Sequence, residues 1–124
     1  MSRTVLEPGP QHPITVEPAS TRVTVRAGET PVAETTAALA LQEADYPVVY
    51  YVPLADVRPE ALKPTDTTTY CPYKGDATYY SVVTPEGEVT DAVWTYVAPY
   101  RAVSPIAGHV AFYPNKVDIA VGEH

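Results

Sequence analysis

Fourteen prolines in 124 residues limit at once what this chain can fold into. Proline holds φ near −65° and has no N–H to donate, so a long helix through such a sequence would be broken repeatedly. Between the prolines Val, Thr and Tyr are abundant and helix formers are sparse, a bias toward pleated strands. Hydrophobic residues make up 45% of the chain, which argues for a packed core and against disorder. The length suits one compact domain and not two. The expectation is a single all-β domain of about eight or nine short strands with one short helix.

A pass along the chain places the elements. Residues 1–19 hold Pro8, Pro10, Pro13 and Pro18 and read as an extended N-terminal arm, with the β domain over 20–124. Alternation is strict at 21–26, putting Val23 and Val25 on one face. Ala27-Gly28-Glu29 signals a turn, after which 31–36 returns as a second strand. Residues 38–41 read as a further strand. The stretch 48–52 is apolar on both faces, as in a strand that is central or lines a pocket. Residues 56–62 are the helix candidate, with Asp56 as cap, Pro59 in the first turn and Pro64 as stop. A strand at 67–70 runs into the Cys71-Pro72 turn. Strands at 77–83 and 88–97 flank Thr84-Pro85-Glu86-Gly87 as a hairpin. After an irregular connection over 99–108, strands at 110–113 and 116–121 are expected to form a last hairpin about Pro114-Asn115.

Charge and cysteine usage exclude several function classes. A net charge of −7 and a pI near 4.7 argue against a nucleic-acid partner, which requires a basic face. One cysteine makes no internal disulfide and no four-cysteine zinc site. His12, His109 and His124 supply no ligand triad. Asp66, Asp76 and Asp91 are too dispersed to hold the cations of metal-assisted nucleotidyl transfer. No metal or cofactor is expected. No apolar run approaches the ~20 residues of a membrane span, and the start lacks the apolar core of a signal peptide. A soluble, cytoplasmic protein is the expectation, with no membrane partner.

The chemistry concentrates in Tyr70-Cys71-Pro72-Tyr73-Lys74-Gly75-Asp76-Ala77-Thr78-Tyr79-Tyr80, which holds the only cysteine and four of the ten tyrosines. Cys71 offers a nucleophile if Lys74 or His109 lowers its pKa, but before a proline at a strand end it reads first as a small packed hydrophobe. Lys74 beside Gly75 is the stronger candidate. Glycine lets backbone approach a ligand, and a lysine there can meet an anion while its ammonium stays hydrated. Tyr50, Tyr51, Tyr79, Tyr80, Trp94 and Tyr96 are spaced so that several share a face. Buried tyrosine needs a polar partner for its hydroxyl. An aromatic cleft with Lys74 and Arg58 at its mouth would fit a small planar or anionic ligand.

Four segments carry a resemblance: Tyr50-Tyr51-Val52-Pro53 with Asp56-Val57; Thr69 through Ala77; Trp94-Thr95-Tyr96 with Pro99; and Gly108-His109-Val110-Ala111-Phe112-Tyr113. Together they resemble the domain-of-unknown-function family numbered 427, sometimes labelled nucleotidyltransferase-like, over roughly residues 20–121. The resemblance implies a half-open β-barrel of tent-like topology, similar to zinc-bearing exchange factors and B-type methionine sulfoxide reductases. Those relatives often carry two cysteine pairs for zinc. With one cysteine here the metal does not carry over, and because the reductase nucleophile lies in a different motif context, that activity does not either. The leading expectation is a small-ligand-binding module whose site comprises Lys74, Gly75, Tyr51, Tyr79, Trp94, Tyr96, Arg58 and Cys71. The alternatives are an enzyme using Cys71 or Lys74, and a structural module that forms a homodimer through its aromatic strands.

Overall fold

A computed structural model describes residues 4–122; residues 1–3 of the expected arm, and His124, lie outside them. In chain order the strands are β1 (Ile14–Pro18), β2 (Val23–Ala27), β3 (Thr30–Thr35), β4 (Leu39–Glu43), β5 (Val49–Pro53), β6 (Leu62–Cys71), β7 (Gly75–Thr84), β8 (Gly87–Thr95), β9 (His109–Phe112) and β10 (Asp118–Val121). They form two antiparallel sheets. One has seven strands in the order β1-β4-β5-β9-β8-β7-β6, and the other has three in the order β10-β2-β3.

The chain is all-β, as its composition requires, but four details differ from expectation. Among the described residues there are ten strands and no α-helix. The segment expected to be helical forms two 3-10 turns, Leu54–Asp56 and Pro59–Ala61. Between them Val57 bridges to Ala33, and the Arg58 N–H bonds to the Val32 carbonyl at 2.9 Å. Backbone committed to β3 cannot also close helical turns, and so short a helix barely repays nucleation. Asp56 caps nothing; its carboxylate accepts the Thr35 hydroxyl at 2.7 Å.

The last hairpin is not formed either. β9 already has β5 on one edge and β8 on the other, so β10 crosses to pair with β2. The Pro114-Asn115 turn does close, with the Lys116 N–H on the Tyr113 carbonyl at 3.0 Å, but it serves a change of sheet. Finally, the end of the expected arm is structured. Residues 14–18 pair with β4 from Ile14 opposite Glu43 to Pro18 opposite Leu39. Pro18 sits at the end of this edge strand, where its missing N–H leaves no partner short.

Side-chain alternation along the seven-stranded sheet sorts its apolar residues onto two faces. Val52, Val82, Val93, Val110 and Phe112 point one way and pack with Val23, Val25, Val32 and Ala33 of the small sheet. Their neighbours Tyr51, Tyr79, Trp94, Ala111 and Tyr113 point the other way. There they meet Leu41, Val103 and Ile106, with Ile14 and Val16 of β1. Strand β5 is apolar throughout because each of its faces borders a core.

Candidate functional site

The second face is incompletely filled. It carries a half-open cavity of about 240 Å³ lined by Leu41, Glu43, Tyr46, Pro47, Val49, Tyr51, Lys74, Tyr79, Trp94, Tyr96 and Tyr113. Pairing explains the assembly. Tyr79 stands directly opposite Trp94 across β7 and β8, and Trp94 opposite Ala111 on β9, two residues before Tyr113. On β4, Leu41 and Glu43 share a face because they are two apart, and Leu41 pairs with Val49.

The rings are held by one another. Trp94 Nε1 donates to the Tyr51 hydroxyl at 3.2 Å, with the two rings edge to face at 6.3 Å. Trp94 and Tyr113 are tilted together at 4.5 Å. The Tyr79 hydroxyl lies 2.9 Å from the Thr69 hydroxyl and 3.5 Å from that of Tyr113. Tyr96 is 8% exposed, lines the cavity, and has no hydroxyl partner among the described residues. Burial pushes the Tyr51 and Tyr96 phenols well above their ordinary pKa. Burial and the bond with Tyr79 push Tyr113 up to about 12. At neutral pH all three remain O–H donors.

At one end the cavity carries a charged pair. Lys74 Nζ donates to one Glu43 oxygen, and His12 Nε2 lies 2.8 Å from the other. Side-chain exposure is 9% for Lys74 and 16% for Glu43, so this is a covered pair, not a surface one. Burial by itself pushes the Glu43 carboxyl up. Hydrogen bonds from Lys74 and His12 outweigh it and hold the group below the usual carboxylate range. His12 stacks on Tyr73 of the β6–β7 turn, 4.2 Å between centroids and 7° off parallel.

Lys74, Tyr51, Tyr79, Trp94 and Tyr96 of the expected site therefore line one cavity. Lys74 is nevertheless buried, not hydrated, and its anion is the chain's own Glu43. Gly75 does not line the cavity; it sits at φ +110°, and the Lys74 carbonyl before it accepts the Tyr100 N–H at 3.0 Å. Cys71 is half-buried against the second cluster, with Sγ 3.8 Å from Lys74 Nζ. Arg58 does not line this cavity; it is exposed and lines a separate depression with Asp56 and Arg26. Sequence reasoning missed Glu43, His12, Tyr46 and Tyr113. Glu43 had a readable signal, since it continues the Leu39, Leu41 face of β4. His12 had none, because only folding brings residue 12 to residue 43.

These features define a small two-sheet β domain with an aromatic-walled cavity. The family model described as "Domain of unknown function (DUF427)" matches residues 15–123, and the chain belongs to that family. The match spans every residue lining the cavity, while His12 precedes it. No curated protein matches the chain. Among the described residues no helix is long and apolar enough to cross a membrane, and no cluster of His, Cys, Asp and Glu could hold a metal ion.

Proposed function

We propose that this protein is a cytoplasmic small-ligand-binding module whose ligand is a compact planar molecule seated against Trp94, Tyr51 and Tyr96. The observation that carries the reading is the cavity itself: about 240 Å³ walled by six aromatic rings, with the largely covered Lys74–Glu43 pair at one end. Ligand pockets are mostly apolar with a few convergent polar groups, and those of drug size start at about 300 Å³. A one-ring compound suits the smaller volume. The polar groups available to it are donors, chiefly the Tyr96 hydroxyl, so a ligand bearing acceptor oxygens is favoured over an amine. A free anion is disfavoured, because Lys74 already holds Glu43.

The half-open barrel belongs to this proposal. Lys74 leads into β7 and Glu43 ends β4, four strand spacings apart in the sheet order. In a flat sheet that is about 19 Å at ~4.8 Å per strand, too far for two side chains to touch. Support also comes from the segment before β1. Its Leu6 N–H bonds to the Pro72 carbonyl at 2.9 Å, and its Thr4 carbonyl accepts the Tyr70 hydroxyl, so the chain leading to edge strand β1 runs along the end of edge strand β6.

Trp94 is the only tryptophan and reports directly on the cavity. Titration with benzamide, a planar ring with a carbonyl acceptor, is expected to change its fluorescence saturably. Tyr96→Phe keeps the ring and should weaken binding about 3–10-fold, the worth of one hydrogen bond. If neither benzamide nor benzoate alters Trp94 emission or the tyrosine ring resonances, the binding reading is lost.

A further inference from the structure

Resting on that binding reading, we propose that Lys74 forms an imine with the ligand, which is a small aromatic aldehyde, and that Glu43 acts as the counter-ion. Three observations lead there. The chain has three lysines. Lys63 is 61% exposed and pairs with Glu88, and Lys116 lies on the surface over Tyr113. Of the three, only Lys74 lines the aromatic cavity, which is half open to solvent.

The hydrogen-bonding inventory of the cavity is lopsided. Both Glu43 oxygens are engaged, by Lys74 and His12. Tyr51 accepts from Trp94 and keeps its own proton to give, and Tyr96 has no partner among the described residues. A carbonyl oxygen answers such a set of donors. Donation from either hydroxyl polarises the C=O bond toward attack, and burial keeps both phenols protonated for the purpose.

Charge balance suits the site as well. Condensation of R–NH3+ with O=CH–Ar gives R–NH+=CH–Ar and water. The ammonium first passes one proton to the touching Glu43 carboxylate, and the neutral amine attacks; the Nζ–C bond forms, the C–O bond breaks, and the carbonyl oxygen leaves as water with two of the three original ammonium protons. The positive charge stays on nitrogen, so the Glu43 carboxylate faces one cation before and after. The neighbours that hold Glu43 ionised preserve that counter-ion. Being in contact with Nζ, its carboxylate can also relay protons to the departing oxygen. No oxidant, metal or second substrate is needed.

The test is reductive trapping. The folded protein is incubated with benzaldehyde and cyanoborohydride, and peptide mapping follows benzyl incorporation at Lys63, Lys74 and Lys116. Lys74 is expected to label at least about tenfold faster than either, equivalent to ~1.4 kcal/mol in barrier. Tyr96→Phe should slow labelling at Lys74 alone. Glu43→Gln should bring Lys74 toward the surface rate; if that variant does not fold, the Tyr96→Phe comparison decides by itself. Benzyl alcohol, which cannot form an imine, separates the two proposals. Saturable quenching of Trp94 by benzyl alcohol with Lys74 unlabelled by benzaldehyde overturns the imine and leaves the binding site standing. If Trp94 responds to neither compound and only Lys63 and Lys116 label, both are overturned.

Discussion

Removing the Lys74 ammonium would leave the Glu43 carboxylate covered with only His12 to hold it. Breaking one partner of a buried pair costs more than the pair contributes, because an uncompensated charge remains. Lys74→Ala is therefore expected to destabilise the fold by roughly 2–4 kcal/mol, measured by urea unfolding at neutral pH. The double variant Lys74→Met with Glu43→Leu should recover most of that loss. The same carboxyl sets an acid limb. Glu43 binds its proton more weakly folded than unfolded. Its contribution is thus complete above the ordinary glutamate range of about 4.3 and fades as pH falls below it. Wild type and Glu43→Gln should differ in stability at pH 7, and the difference should shrink as pH falls below the glutamate range. Tyr113 sets an alkaline limb of opposite sense. Its phenol ionises in the unfolded chain near pH 10 but in the folded one at about 12. Stability should be intact below that window and fall through it, with tyrosinate absorbance rising as the chain unfolds.

Among the elements, the β6–β7 hairpin does most to build the site. Its tip is Pro72-Tyr73-Lys74, closed by the Lys74 N–H on the Cys71 carbonyl at 3.2 Å. Gly75 makes the exit possible at φ +110°, where L side chains are strained. A Cβ there would meet the Ala98 carbonyl oxygen at 3.5 Å, an ordinary contact, so conformation and not collision sets the cost. Gly75→Ala should lose about 1–3 kcal/mol in thermal unfolding and reduce any ligand response, since Lys74 is the preceding residue. Near the far end of β6, Asp91 of β8 sits at φ +50°, accepting the Thr65 and Thr67 hydroxyls at 2.7 and 2.6 Å. Those bonds span the points where the β6–β7 and β7–β8 registers both slip. Asp91→Asn keeps an acceptor and tolerates positive φ, so it should unfold at a higher temperature than Asp91→Val, which does neither.

At the scale of the molecule, one sheet serves two cores. The face toward β2 and β3 is packed with aliphatic side chains, and the opposite face is aromatic and holds the cavity. Deleting residues 1–12 removes the His12 contact and the bonds of Thr4 and Leu6 but touches neither cluster. The β-sheet circular dichroism should survive, with a midpoint lowered by roughly 5 °C per kcal/mol lost. Loss of all cooperative unfolding would mean that the segment holds the sheet closed.

What the sequence by itself determined was the kind of structure. Period-2 alternation, prolines and the turn at Thr84-Pro85-Glu86-Gly87 are local, and local sterics fix strands and hairpins without knowledge of the rest. The same parity put Tyr51, Tyr79, Trp94 and Tyr96 among the candidates, since residues two apart in a strand must share a face. Only the tertiary structure decided which strands meet. β10 bypasses β9 because both edges of β9 are taken, and residues 54–61 form two 3-10 turns instead of one α-helix because β3 claims the backbone of Val57 and Arg58. It alone decided the charge at the site, too. Lys74 reads as a free cation until a sheet that orders β4 four places from β7 presses Glu43 against it, and no spacing along the chain encodes that approach.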